Sequence, residues 1–203
     1  MRYFVVFLSV MLCFACKEDK RPVLGVTAFQ REMNATFKDA SKSPLKKNDR
    51  ENFKGLDFFP VDSSFSVTAK VEPVENSEYF DMPTTAGEFK AQRVFGILHF
   101  KINEEPFQLK VYESLALKDK AGYEDYLFLP FLDLTNGVST YGGGRYMELR
   151  SSDINEANEI RIDFNKAYNP YCAYNDTYSC PIVPRDNFIN TEIRAGVKAF
   201  AKH

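Results

Sequence analysis

The hydrophobic period of the chain changes at Phe65, and this change constrains the fold more than any other feature. Phe65, Val67, Ala69 and Val71 alternate with Ser66, Thr68, Lys70 and Glu72. Side chains two apart share one face of a pleated strand, so this is a strand with one buried face. Phe107, Leu109, Val111 and Glu113 alternate in the same way with Gln108, Lys110, Tyr112 and Ser114. Residues 94–102 (VFGILHFKI) form a strongly apolar strand, with Gly96 marking a candidate bulge. Asn103-Glu104-Glu105-Pro106 lies between these two strands as a hairpin loop. Residues 126–131 are a further apolar run, and Asn136-Gly137 is a turn signal. Residues 145–149 and 159–164 supply two more short strands, joined by polar residues 151–158. Strands at this spacing with no helix between them predict a mainly β domain, an antiparallel sandwich or partly open barrel. A chain of 203 residues can bury a core without covalent staples.

Before Phe65 the pattern is helical. Thr27-Ala28-Phe29-Gln30 has the form of a capping box, and Phe29, Met33 and Phe37 then recur every fourth residue. This predicts a helix that ends near Ala40. Ser43-Pro44 offers a second, short and exposed helix start. Phe53-Lys54-Gly55-Leu56 and Phe58-Phe59-Pro60 read as an aromatic plug for the core.

The first residues are an address. Arg2 is followed by an apolar stretch over residues 3–14, then by Ala15 and Cys16. That is the three-part form of a secretory signal, too short to span a bilayer, which takes about 20 apolar residues. Cys16 directly after Ala15 resembles the lipobox of bacterial lipoproteins, although Cys13 stands where that motif usually has Leu. The resemblance implies cleavage after residue 15, a diacylglyceryl group on the Cys16 thiol, and a membrane partner through that lipid. Residues 16–24 are then a tether and residues 25–203 a single domain, in a lipid-anchored protein of the outer membrane. Lys17-Glu18-Asp19 resembles a signal for export to the outer face of that membrane. A solvated charged tether would use the same residues equally well.

With Cys13 removed and Cys16 lipidated, Cys172 and Cys180 remain. An even pair in an oxidising compartment predicts one disulfide closing a short loop, worth roughly 2–3 kcal/mol in the chain-entropy model. The alternative is half of a metal site, but no nearby histidine or second cysteine pair completes it.

Charge and histidine content narrow the function. Twenty-six basic and 28 acidic residues give a formal net charge of −2 with the signs interspersed, which argues against a nucleic-acid binder. The only histidines are His99 and His203, so most zinc-enzyme and Ser-His-Asp readings would have to lean on His99. His99 sits inside an apolar strand and reads as a core or strand-face residue.

Two segments could carry chemistry. The first runs through Asp133-Leu134-Thr135-Asn136-Gly137 to Thr140-Tyr141-Gly142-Gly143-Gly144-Arg145-Tyr146. Its glycines let backbone approach a ligand or a turn closely, yet no Gly-Lys-Ser/Thr and no helix follow, so it is not a P-loop, and no strand–turn–helix context makes it a dinucleotide fingerprint. Arg145 can hold a carboxylate or phosphate in two-point fashion, or pair internally with Asp133 or Asp163. The second segment starts at Asp163-Phe164-Asn165-Lys166-Ala167-Tyr168-Asn169-Pro170-Tyr171-Cys172 and continues to Asn187. Its Asn, Tyr and Pro content suits an ordered loop, which on a β scaffold is a common place for a binding site.

Both segments, with Phe53-Lys54-Gly55-Leu56-Asp57-Phe58-Phe59-Pro60, Cys180-Pro181, Asn187 and Ile193-Arg194-Ala195-Gly196, resemble the domain of unknown function 1684 family. The likeness runs from about Ala28 to the C-terminus. Where that family usually continues Gly-Glu-Lys, this chain has Gly196-Val197-Lys198. The resemblance supports the domain limits and implies no activity and no cofactor.

Three readings follow. The first is a binding or structural envelope module for a small polar or glycan-like ligand. Its candidate residues are Asp133, Thr135, Tyr141, Arg145, Tyr146, Asp163, Asn165, Tyr168 and Asn169. The second is a hydrolase with Asp133 and Asp163 as paired carboxylates, which needs them roughly 5–10 Å apart across a cleft. The third is a hard-cation site from Asp133, Asp163 and His99. Missing nucleophile signatures favour the first.

Overall fold

The computed structural model describes residues 25–200. The signal, Cys16, the tether and His203 lie outside the described residues. Among the described residues, no helix is long and apolar enough to cross a membrane.

Two helices precede the strands: α1 (Ala28–Lys38) and α2 (Lys47–Glu51). The strands are β1 (Ser66–Pro73), β2 (Phe80–Pro83), β3 (Phe89–Ile102), β4 (Glu105–Ser114), β5 (Tyr126–Asp133), β6 (Arg145–Arg150), β7 (Glu159–Asp163) and β8 (Phe188–Ile189). They form one sheet in the order β6-β5-β4-β3-β1-β7, antiparallel between neighbours. β2 extends β3, and β8 runs parallel to the end of β5. The sheet curls into a half-barrel, which realises the partly open alternative among those expected.

The hairpin of β3 and β4 is its spine. Asn103 and Glu104 both take positive φ, 50° and 69°, as a two-residue turn whose twist matches the strands. The loop is therefore tighter than the four residues expected, and Pro106 lies within β4 opposite Lys101. The register shifts between Val94 and Gly96, so a bulge sits at the expected glycine. A Cβ at Gly96 would lie 2.9 Å from the Glu72 carbonyl oxygen on β1, which leaves no room for a side chain.

Alternation places Ala69, Val71, Leu98, Phe100, Leu109 and Val111 in the main core, with Leu127, Leu129 and Phe131 of β5. The other face of β5 is also covered: Phe128 packs with Met82, Tyr112, Tyr146 and Val183. That double burial is why residues 126–131 read as a continuous apolar run and not as an alternation. β4 and β5 share only one register pair, Tyr112 and Phe128. Alongside it, the buried Asn187 side chain accepts from the Lys110 N–H at 2.8 Å and donates to the Lys110 and Pro130 carbonyls at 2.8 and 2.6 Å.

Thr27 caps α1, accepting from the Gln30 N–H at 3.2 Å, while Gln30 Oε1 accepts from the Val26 N–H at 2.8 Å. The helix buries Gln30, Asn34 and Phe37. Asn34 Oδ1 accepts the Leu56 N–H at 2.7 Å, and Phe37 joins Leu45, Leu56, Tyr174 and Val197 in a second cluster. The expected stripe is thus rotated: Phe37 is buried, but Phe29 and Met33 are only half-buried. Ser43 does not cap α2. Its hydroxyl donates to the Phe37 carbonyl at 2.6 Å, and the helix begins after Lys46.

Candidate ligand-binding site

The glycine-rich segment closes a buried polar knot. β5 and β6 bring Phe131 opposite Arg145, so Arg145 enters the interior beside Asp133. Both side chains are 0% exposed. Arg145 Nη2 donates to Asp133 Oδ2 at 2.8 Å and to the Ile193 carbonyl at 2.7 Å, and Nη1 donates to the Ala195 carbonyl. The guanidinium lies 5.1 Å from the centroid of the Phe131 ring. Asp133 Oδ1 accepts from the Thr135 N–H at 2.8 Å, the Thr135 hydroxyl at 2.5 Å and the Ile193 N–H at 3.2 Å. Burial pushes the Arg145 pKa down, and the Asp133 charge opposes that. Gly144 is required here: φ is +90°, and a Cβ would lie 2.7 Å from Val183 Cγ2. Asp133, Thr135 and both Arg145 terminal nitrogens therefore bond one another, Thr140 and the C-terminal segment, while the buried Arg145 Nε has no partner.

Asp163 and Asn165 are also tied to protein. Asp163 Oδ1 accepts from the Asn165 N–H at 3.2 Å and side-chain amide at 2.9 Å. Asn165 in turn accepts from the Asp62 N–H at 3.0 Å and donates to its carbonyl at 2.8 Å. Both residues border a cavity of about 380 Å³ with Thr27, Glu32 and Lys166. Asn169 is buried and donates to the Lys198 carbonyl at 2.9 Å and the Tyr174 hydroxyl at 3.3 Å. The structure does not place Asp133 and Asp163 across a shared cleft.

A larger groove, of about 630 Å³, lies between α1, β6 and the segment that follows β7. α1 contributes Phe29, Glu32 and Met33; β6 contributes Tyr146 and Glu148, two apart on one face. The following segment contributes Lys166, Tyr168, Tyr171, Tyr178 and Cys180. A backbone bridge, Tyr146 N–H to Tyr168 carbonyl at 2.8 Å and the reverse at 3.0 Å, fixes two of these rings edge to face at 6.1 Å. Tyr171 and Tyr178 pair at 5.2 Å. The Tyr168 hydroxyl donates to Glu148 Oε1 at 3.0 Å. Burial pushes the Tyr168 and Tyr146 hydroxyls well above their ordinary range, so these rings stay neutral. The groove thus offers apolar, ring-lined walls with charged points at Glu32, Glu148 and Lys166.

Cys180 lines this groove and Cys172 lies beside it, both as free thiols. The Cys172 N–H donates to Cys180 Sγ at 3.1 Å, so the expected pairing in space is present without the covalent bond. The Tyr141 hydroxyl lies 3.9 Å from Cys172 Sγ. Burial and the neighbouring Cys172 sulfur push Tyr141 up to about 12.

His99 lies on the exposed face of β3, where Nε2 meets Glu72 Oε2 at 2.7 Å. Among the described residues, no group of three or more His, Cys, Asp or Glu could hold a metal ion. The Asp133, Asp163 and His99 set is therefore not assembled. Of the nine candidate residues, only Tyr146 and Tyr168 line the larger groove. The α1 residues and Glu148 were missed. For Phe29 and Met33 the signal was present in the apolar stripe of α1; Glu32 and Glu148 carried none.

Fold and site together define a mainly β protein with a curled antiparallel sheet and a ring-lined groove between α1 and β6. The chain belongs to the family described as "Protein of unknown function (DUF1684)", whose model matches residues 51–198. It is also similar to the solution NMR structure of an uncharacterized protein of Haloarcula marismortui. The two are 34% identical, with 86% of this chain and 92% of that one covered and a TM-score of 0.67. No curated protein matches the chain.

Proposed function

We propose that the protein is a lipid-anchored envelope module that binds a small polar or glycan-like ligand in the groove between α1 and β6. The observation that carries this reading is the groove itself. Its volume of about 630 Å³ falls in the range of small-molecule sites, roughly 300–1,000 Å³. Tyrosine rings stack on the apolar faces of sugars while their hydroxyls, with Glu32, Glu148 and Lys166, can bond the polar edges. The anchor is proposed from the Cys16 lipobox resemblance, with residues 16–24 as the tether. The carboxylate-hydrolase reading gains no support, because every Asp133 oxygen is spent inside the fold.

Calorimetric titration with di- and trisaccharides of glucose and of N-acetylglucosamine tests the groove. Saturable binding that Phe29→Ala and Tyr178→Ala weaken at least about tenfold, with folding retained, supports the reading. Binding that survives both substitutions, or none from any of these sugars, contradicts it. Incorporation of labelled palmitate by the full chain, lost in Cys16→Ser, tests the anchor; equal labelling of the two refutes it.

A further inference from the structure

We propose that Cys172 and Cys180 form a thiol-exchange site, in which Cys172 attacks small-molecule disulfides and Cys180 resolves the adduct. The asymmetry is geometric. Cys172 is half-buried and Cys180 buried, so an incoming disulfide meets Cys172 first. The Cys172 sulfur also has the Tyr141 hydroxyl 3.9 Å away, and the Cys180 thiol adjoins Cys172, accepting its N–H at 3.1 Å. Thr85 pins the Cys180 side of the pair: its hydroxyl oxygen accepts the Cys180 N–H at 3.1 Å and donates to the Tyr178 carbonyl at 3.3 Å.

Donors aimed at one sulfur favour its thiolate, and the thiolate is the attacking form. Hydrogen bonding from the Cys180 thiol, with smaller help from Tyr141, holds the Cys172 thiol below its ordinary range against the opposing effect of burial. Cys180 moves the other way, raised by its bond to Cys172 and by burial, so only one of the two carries charge. Stabilising the reduced form makes a disulfide easier to reduce, which distinguishes an exchange site from an inert staple.

The reaction balances as two exchanges. The Cys172 thiolate attacks one sulfur of a disulfide RSSR, forming Cys172–S–S–R and releasing RS⁻, which takes up the proton Cys172 had lost. Cys180, already within hydrogen-bonding reach, then gives its proton to solvent and attacks the Cys172 sulfur. The second RS⁻ leaves and collects a proton. Two protein thiols are oxidised to one disulfide, and RSSR is reduced to two RSH. The closed loop spans residues 172–180 and contains Tyr178 of the groove.

The test uses reduced full-length protein, glutathione disulfide as probe, acid quenching and peptide mass spectrometry, which reads adducts at Cys172 and Cys180 apart from any at Cys13 and Cys16. Cys180→Ser keeps a hydroxyl donor beside Cys172 and should accumulate one glutathione on Cys172. Wild type should pass to the internal disulfide without retaining glutathione. Cys172→Ser should react at Cys180 at least about tenfold more slowly, as expected for a buried protonated thiol. Tyr141→Phe in the Cys180→Ser background should shift the midpoint of Cys172 alkylation against pH upward, which a purely structural role of Tyr141 would not do. Should a variant not fold, brief alkylation of reduced wild type gives the same answer: Cys172 is labelled ahead of Cys180. Equal reactivity of the two cysteines, a stable glutathione adduct on wild type, or no reaction at either would overturn the proposal. None of these readouts uses a groove ligand, so its failure is distinct from failure of the binding reading.

Discussion

Replacing Asp133 by Asn keeps the shape of the side chain and removes one charge, which isolates the worth of the buried pair. Arg145 then remains fully buried with its charge uncompensated. The amide cannot reproduce the bonding in either orientation. With Oδ1 left toward the Thr135 and Ile193 N–H groups, the new NH₂ faces Arg145 Nη2, donor against donor. Flipped, it faces those two N–H groups instead. Breaking a buried pair from one side costs about 3–5 kcal/mol. In a domain of this size each kcal/mol lowers Tm by roughly 2–4 °C, so the loss should be about 6–20 °C. Urea unfolding followed by circular dichroism reads the free energy directly, and an unchanged slope would show that only stability moved. A loss below about 1 kcal/mol would refute the reasoning, since it would mean that Arg145 is solvated or rearranges freely.

Other substitutions test separate parts of the structure. Gly144→Ala should cost about 1–3 kcal/mol, because it combines a φ of +90° with a 2.7 Å approach to Val183, while Gly142→Ala, with nothing nearer than 3.7 Å, should stay within about 0.5 kcal/mol by thermal melting. Glu113 supplies a pH dependence. Burial alone would raise its pKa, but the Arg93 guanidinium at 2.9 Å and the Tyr79 hydroxyl at 2.6 Å overcome this and hold it below the ordinary value. The unfolded chain then binds the proton more tightly than the folded one, so this contribution is present above the ordinary glutamate range and lost as pH falls through the folded value. Urea midpoints between pH 7 and pH 3 should fall less steeply for Glu113→Gln than for wild type; parallel curves would contradict the pairing. Met33→Ala should weaken glycan binding several-fold while costing less stability than Phe37→Ala, because Met33 is half-buried at the groove and Phe37 is in the core.

Much of the fold was legible because alternation records burial on one face. Ala69, Val71, Leu109 and Val111 could be placed in the core from period alone, and Gly96 marked the bulge. β5 was legible as a strand but not as one covered on both faces, since nothing local shows that Phe128 meets Met82 and Val183. The internal pairing of Arg145 with Asp133 was foreseen as one of two uses. What removed the ligand use was the chain from Ile193 to Ala195 folding over the pair, a contact about 50 residues distant in sequence. The groove was the least legible part. Glu32, Glu148 and Lys166 are exposed polar residues with no periodic signature, and they converge only through the Tyr146–Tyr168 bridge and the rotation of α1. Tyr146 and Tyr168 were found because they sit within dense motifs, and the motifs proved to hold the groove together as much as to line it.

The groove between α1 and β6 is where we propose the protein meets its ligand. The most direct measurement is amide and side-chain NMR of the isotope-labelled domain during titration with the N-acetylglucosamine trisaccharide. Ligand binding in the groove should give saturable shifts confined to Phe29, Met33, Tyr146, Glu148, Tyr168, Tyr171 and Tyr178, with Asp133 and Arg145 unmoved. Shifts centred on Asp133 and Arg145, or on a surface away from α1 and β6, would contradict it.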